Sequence, residues 1–146
     1  MADGPSCIFC RILAGRAEAS FVYRDERVAA FMALPQGGHG HVLVVPVRHY
    51  ENAYDLPLDL AGPIFALGLR LARAVKRALK PDGLTLAQNS ERAANQTVMH
   101  FHLHVIGRIA GQRLNLHDPA GLADRAELDR LAEIISDQLS AISSQQ

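Results

Sequence analysis

The chain has 146 residues, 49% of them hydrophobic and 21% charged, with 15 basic side chains against 15 acidic ones. That length suits a single domain, 1–146, able to bury about two thirds of its unfolded surface, and the charge balance offers no strong field for nucleic acid or an anionic membrane. The opening Met1-Ala2-Asp3-Gly4-Pro5 lacks the basic segment of a secretory signal, and no apolar stretch approaches a membrane span, so a cytoplasmic location is the default expectation.

Both cysteines fall in Cys7-Ile8-Phe9-Cys10. A Cys-x-x-Cys pair is a redox couple, half of a metal site, or an inert reduced pair. No strand precedes Cys7, as the thioredoxin-type arrangement would need, so metal is favoured over redox. Two thiolates leave a tetrahedral zinc shell half filled, and two further ligands must come from elsewhere. Phe21 to Arg24 reads as a short strand, and Val28 to Leu34 as its hairpin partner, ending at Pro35. Gln36-Gly37-Gly38-His39-Gly40 is a glycine-rich loop, and the apolar run His41 to Val47 follows as a central strand.

Leu60 to Leu79 is the clearest helix. Leu60, Ile64, Leu67, Leu71, Val75 and Ala78 recur at three-to-four spacing, while Arg70, Arg73, Arg77 and Lys80 fall on another face that reads as solvated. Leu84 to Gln88 reads as a strand and Asn89 to Asn95 as a polar loop. Val98 to Gly107 reads as a further strand, and Arg125 to Leu139 as a final helix before a polar tail at 143–146. Short strands joined by turns around one long helix, with a C-terminal helix, predict an α+β fold on an antiparallel sheet.

Three of the seven histidines alternate with apolar residues in His100-Phe101-His102-Leu103-His104. On a strand, this places the imidazoles on one face and Phe101, Leu103 and Val105 on the other, so a core can form beneath a histidine-lined site. Imidazole changes charge near neutral pH and is the commonest metal ligand. A shared zinc ion on all three is disfavoured, because alternate side chains leave a strand about 7 Å apart.

The histidine run with Val105-Ile106 closely resembles the defining motif of the histidine triad (HIT) family of nucleotide hydrolases and transferases. Cys7-Ile8-Phe9-Cys10-Arg11-Ile12 resembles the opening of its bacterial members, and Gly40 to Pro46 with Arg48-His49 is similar to the family's central strand. Asn89 and Asn95-Gln96-Thr97-Val98 resemble its phosphate-binding loop. The matches span Cys7 to Arg108, so the core would be 7–108, followed by a C-terminal extension with its helix over 109–142.

The resemblance implies a HIT-like sheet and cleavage at the α-phosphate of a nucleoside phosphoramidate or dinucleoside polyphosphate. His102 would be the nucleophile, forming a nucleotidyl-histidine that water hydrolyses. Its other nitrogen then needs an acceptor, which a backbone carbonyl could supply. His104, Gln96 and Thr97 (often serine in relatives) would contact the phosphate, with Asn89 and Asn95 beside them. Ile8, Phe9 and Leu34 would wall a base pocket, and His41 would support the triad. Cys7, Cys10, His49 and His100 would form a structural zinc site, His39 and His117 would be surface or loop residues, and the protein would be a homodimer. Relatives commonly carry a ribose-gripping aspartate at the position of Ala33, and alanine cannot accept those hydrogen bonds. The alternative reading is therefore a nucleotide-binding or scaffold protein of the same fold with little hydrolysis.

Overall fold

Hydrophobic runs of four to six residues, separated by turns, assemble into an antiparallel sheet in the computed structural model, which describes residues 6–36, 39–114 and 122–143. The strands are β1 (Phe21–Arg24), β2 (Val28–Met32), β3 (His41–Pro46), β4 (Gly83–Gln88) and β5 (Leu103–Arg108), in the order β1-β2-β3-β5-β4. The helices are α1 (Ile8–Leu13), α2 (Ala61–Leu79) and α3 (Arg125–Ser143), with short 3-10 turns at Leu58–Leu60 and Arg92–Ala94. This is the α+β architecture expected, with its long helix and its C-terminal helix. No helix among the described residues is long and apolar enough to cross a membrane.

Both faces of the central strands are covered, which explains why β2 and β3 are buried at every position and read as unbroken apolar runs. On one face, Ala30, Val42, Val44, Leu103 and Val105 pack beneath Ile64, Leu67, Leu71 and Val75 of α2 and Leu128 and Ile135 of α3. On the other, Ala29, Phe31, Leu43 and Val45 meet Phe9, Ile12 and Leu13 of α1. The periodicity expected for α2 holds: Leu60, Ile64, Leu67, Leu71 and Val75 are buried and Ala78 is partly so.

Register places the site. The pairs Phe21↔Phe31, Phe31↔Leu43 and Leu43↔His104 form one row across four strands. The next row begins where Ala33 N–H donates to the His41 carbonyl (3.0 Å). His39 N–H donates to the Gly107 carbonyl and Gly107 N–H to the Gly40 carbonyl, each at 2.8 Å, tying the loop before His41 to β5. A side chain at residue 107 would run into the His39 backbone, so the position needs glycine.

The structure revises several boundaries. The histidine strand expected over Val98 to Gly107 begins only at Leu103. Residues 98–100 bend, and Phe101 N–H donates instead to the Tyr50 carbonyl (2.6 Å). His104 alone of the three histidines is therefore on a regular strand. The strand expected to run to Leu34 stops at Met32, before Pro35, which pairs in an isolated bridge with Leu122. The helix α1, absent from the sequence reading, spans 6 residues, too few for periodicity to show. Gly37, Gly38, His117 and the tail residues 144–146 lie outside the described residues.

Candidate active site and metal centre

Cys7 caps α1: its Sγ accepts the Cys10 N–H at 3.3 Å. That turn brings both thiols toward His49, beyond the end of β3, and His100, in the bend before β5. Cys7 Sγ lies 3.4 Å and Cys10 Sγ 3.6 Å from His100 Nδ1. Cys10 Sγ is 3.3 Å from His49 Nδ1, and the two histidine Nδ1 atoms are 3.1 Å apart. Ligand atoms around a tetrahedral zinc ion stand about 3.3–3.8 Å from one another, and these four all lie within 4.8 Å, so the cluster has the chemistry and approximate spacing of a Cys2His2 site. His100 Nε2–H donates to the Pro46 carbonyl (3.0 Å), which fixes the tautomer with its Nδ1 lone pair turned to the thiols. These four side chains are positioned to bind a metal ion.

His102 and His104 face a cleft of about 270 Å³ on the α1 side of the sheet. Its floor is the sheet row of Phe31, Leu43 and His104 beside Ala33 and His41. Ile8, Phe9 and Ile12 of α1 form one wall, and Thr97 and Val98 another. The Phe9 ring meets two of the three triad rings edge-on, with centroids 5.6 Å from His100 and 5.2 Å from His102. The helix that carries the thiols thus also shapes the cleft.

Hydrogen bonding assigns the imidazole tautomers. His102 Nδ1–H donates to the His100 carbonyl at 2.7 Å, leaving the lone pair on Nε2. Burial pushes this imidazole below the ordinary histidine range, against the opposing pull of the His100 carbonyl. His41 Nδ1–H donates to the Pro35 carbonyl at 2.8 Å, so its Nε2 accepts from His104 Nδ1–H at 2.9 Å. Burial lowers His41 to about 4; the Pro35 carbonyl opposes this and nearby His102 adds to it. His104 thus spends its Nδ1–H on neutral His41 while its ring lines the cleft.

The other residues singled out in the sequence fall into two groups. Ile8, Phe9, Leu34, His41 and Thr97 line the cleft, but Gln96, Asn89 and Asn95 do not. Gln96 is buried, and its amide is used inward: Oε1 accepts Glu91 N–H (2.7 Å), and Nε2 donates to the carbonyls of Glu51 (2.7 Å) and Val98 (3.1 Å). It holds a strained loop in which Glu91 (φ 78°) and Asn95 (φ 71°) take left-handed conformations. The sequence reading missed the cleft residues Glu18, Ala19, Phe31, Leu43 and Arg125. Strand alternation could have found Phe31 and Leu43; nothing local marks Glu18 or Arg125.

A cleft floored by tautomerically ordered imidazoles stands beside a Cys2His2 cluster positioned to bind a metal ion. The HIT domain sequence profile matches residues 14–111, and the chain belongs to the HIT family. It is 41% identical to Protein hit of Bacillus subtilis (strain 168), over 70% of this chain and 71% of that one. The crystal structure of a zinc-bound histidine triad family protein from Mycobacterium smegmatis superposes with a TM-score of 0.82 and 34% identity, covering 97% of this chain and 98% of that one. The adenosine 5′-monophosphoramidase HNT1 of Candida albicans is 26% identical over 99% of each chain.

Proposed function

We propose that the protein is a nucleotide hydrolase that cleaves at the α-phosphate of nucleoside phosphoramidates or dinucleoside polyphosphates through a covalent nucleotidyl-histidine. The observation that carries this reading is the 2.7 Å bond from His102 Nδ1–H to the His100 carbonyl, which presents an unprotonated Nε2 to the cleft. That lone pair attacks the α-phosphorus. The new N–P bond forms as the bond to the amine or phosphate leaving group breaks. Water then attacks the same phosphorus, the N–P bond breaks, and the nucleoside monophosphate departs. His104, protonated on Nε2 and supported by neutral His41, donates to the phosphate oxygens, with Thr97 beside it at the rim. Gln96, Asn89 and Asn95 act by shaping the loop that presents Thr97 and Val98. The apolar walls at Ile8, Phe9 and Leu34 receive the base. Kinship with the Candida albicans phosphoramidase supports the substrate class.

Zinc is the metal we assign to Cys7, Cys10, His49 and His100, supported by the donor set and by the zinc-bound relative. When bound it staples α1 to the histidine segment and supplies no reacting group. The charge-free edge strand β4 and the exposed apolar groove beside it support a homodimer.

Incubation with adenosine 5′-phosphoramidate is expected to release AMP, with a protein species heavier by one nucleotidyl group trapped on a denaturing alkaline quench, in which the N–P bond survives. In His102→Asn both are lost, a fall in kcat of at least about 1,000-fold, as expected when a nucleophile is removed. Full turnover in that variant refutes the mechanism. Tight AMP binding by the wild type with neither turnover nor adduct supports instead the binding-protein reading that Ala33 motivates.

A further inference from the structure

Apart from the histidines, the charged side chains on the cleft wall are Glu18 and Arg125, among the described residues. They come from different parts of the chain. Glu18 lies on the approach to β1, and Arg125 opens α3. Arg125 is anchored: its guanidinium donates to Ser20 Oγ at 2.6 Å, and the buried Ser20 hydroxyl donates in turn to Asp129 at 2.6 Å. Its Nε faces a Glu18 carboxylate oxygen at 3.7 Å. Glu18 itself is largely exposed, its side chain keeping 76% of its accessible surface, so water satisfies it until a ligand arrives.

Their position decides what they would touch. In the sheet, β1, which Glu18 precedes, stands three places from β5, which His102 precedes, so the pair and the histidines line opposite ends of the cleft. A nucleotide whose α-phosphate sits at His102 lies along the cleft with its ribose next to the histidines and its base farthest away. The pair therefore meets the outer edge of the base. The apolar walls grip the faces of any base equally well, so selectivity falls to this edge.

We infer that Glu18 and Arg125 form a base-reading pair that gives this cleft a preference for guanine nucleotides; the inference rests on the nucleotide reading above. Guanine presents O6 and N7 as acceptors, which suit a guanidinium, and N1–H and the 2-amino group as adjacent donors, which suit a carboxylate. Adenine offers its 6-amino group and a ring nitrogen, so it makes one bond to each partner and no paired bonds to Glu18. Pyrimidines are too short to reach both.

Calorimetric titration of the full-length protein with GMP, IMP and AMP tests this directly. GMP is expected to bind about tenfold tighter than AMP, equivalent to about 1.4 kcal/mol, and IMP, which lacks the 2-amino group, falls between them. Glu18→Gln is expected to narrow the gap to about threefold and Glu18→Ala to abolish it, because GMP loses paired bonds to Glu18 where AMP loses one. Because Glu18 is exposed, neither change threatens the fold. Equal wild-type affinities for GMP and AMP, or a GMP preference unchanged in Glu18→Ala, overturn the pair's assignment while leaving the nucleotide reading intact. A wild type that binds none of the three overturns the nucleotide reading and the inference with it.

Discussion

A backbone carbonyl sets the chemistry of His102, and a second one does the same for the His41–His104 pair. In both cases a carbonyl can only accept, so the ring nitrogen facing it must carry the proton, and the lone pair is forced onto the opposite nitrogen. The ordering of His102 and His41 needs those two rings neutral, which burial favours in both. His41 shows what burial costs. Its ordinary value is 6.5 and its folded value about 4. Above pH 6.5 the ring is neutral in both folded and unfolded chains. As pH falls below that value, the unfolded chain takes up a proton that the folded chain refuses until about pH 4. Stability therefore falls through this window, by up to about 3 kcal/mol. Urea unfolding of wild type and His41→Gln between pH 7.5 and 4.5 measures the term, because carboxylate titration is common to both and cancels. The wild type is expected to lose more stability on acidification than the variant; parallel curves would exclude His41 as the source.

At the level of elements, α1 does two jobs through side chains one position apart. Cys7 and Cys10 face His49 and His100, while Ile8 and Phe9 wall the cleft, so whatever loosens that cluster loosens the pocket. Wild-type protein is expected to hold one zinc ion per chain by elemental analysis. Cys7→Ser should lose it, and His104→Ala should keep it. Chelation should lower Tm in the wild type, because a ligand bound only by the folded state stabilises it, and leave Tm unchanged in Cys7→Ser. Zinc retained in Cys7→Ser but lost in His104→Ala would move the metal to the triad. The same segments show what was legible in advance. The helix α2 and the central strand β3 announce themselves through periodicity and an unbroken apolar run. The triad's alternation correctly separated Phe101, Leu103 and Val105, which enter the core, from the imidazoles. It did not reveal that the strand starts at Leu103, because the bend at residues 98–100 follows tertiary partners: the thiols and His49 beside His100, and the Tyr50 carbonyl. The metal set came from resemblance, since spacing alone marks only the thiols. Glu18 and Arg125 were invisible because a salt bridge between distant surface residues leaves no local pattern.

At the scale of the whole molecule, the sheet ends differently on its two sides. The β1 edge is flanked by α3 through the Ser20–Asp129 and Ser20–Arg125 bonds. Among the described residues the β4 edge pairs only with β5, and its sequence Gly-Leu-Thr-Leu-Ala-Gln holds neither a charge nor a proline. Isolated proteins normally guard such an edge with lysine, proline or a covering element. Beside it runs an apolar groove lined by Leu56, Ile64, Phe65, Leu86 and Phe101. Phe65 is 52% exposed and Leu69 41% exposed on the adjoining helix. A second copy of the chain, its own β4 set antiparallel to this one, would satisfy the edge hydrogen bonds and cover the groove in a single symmetric contact. Light scattering coupled to gel filtration is expected to give twice the 15.9 kDa chain mass at micromolar concentration. Phe65→Glu places a charge in the middle of that contact but leaves an isolated chain little changed, since the ring is half exposed there. It should shift the population to monomer, weakening association by at least about 100-fold, as for loss of a central aromatic anchor. A wild-type monomer, or a dimer indifferent to Phe65→Glu, would show that this groove is not the contact. The cleft lies on the opposite face of the sheet from α2, so a Phe65→Glu monomer should still bind AMP. That result would separate assembly from ligand recognition.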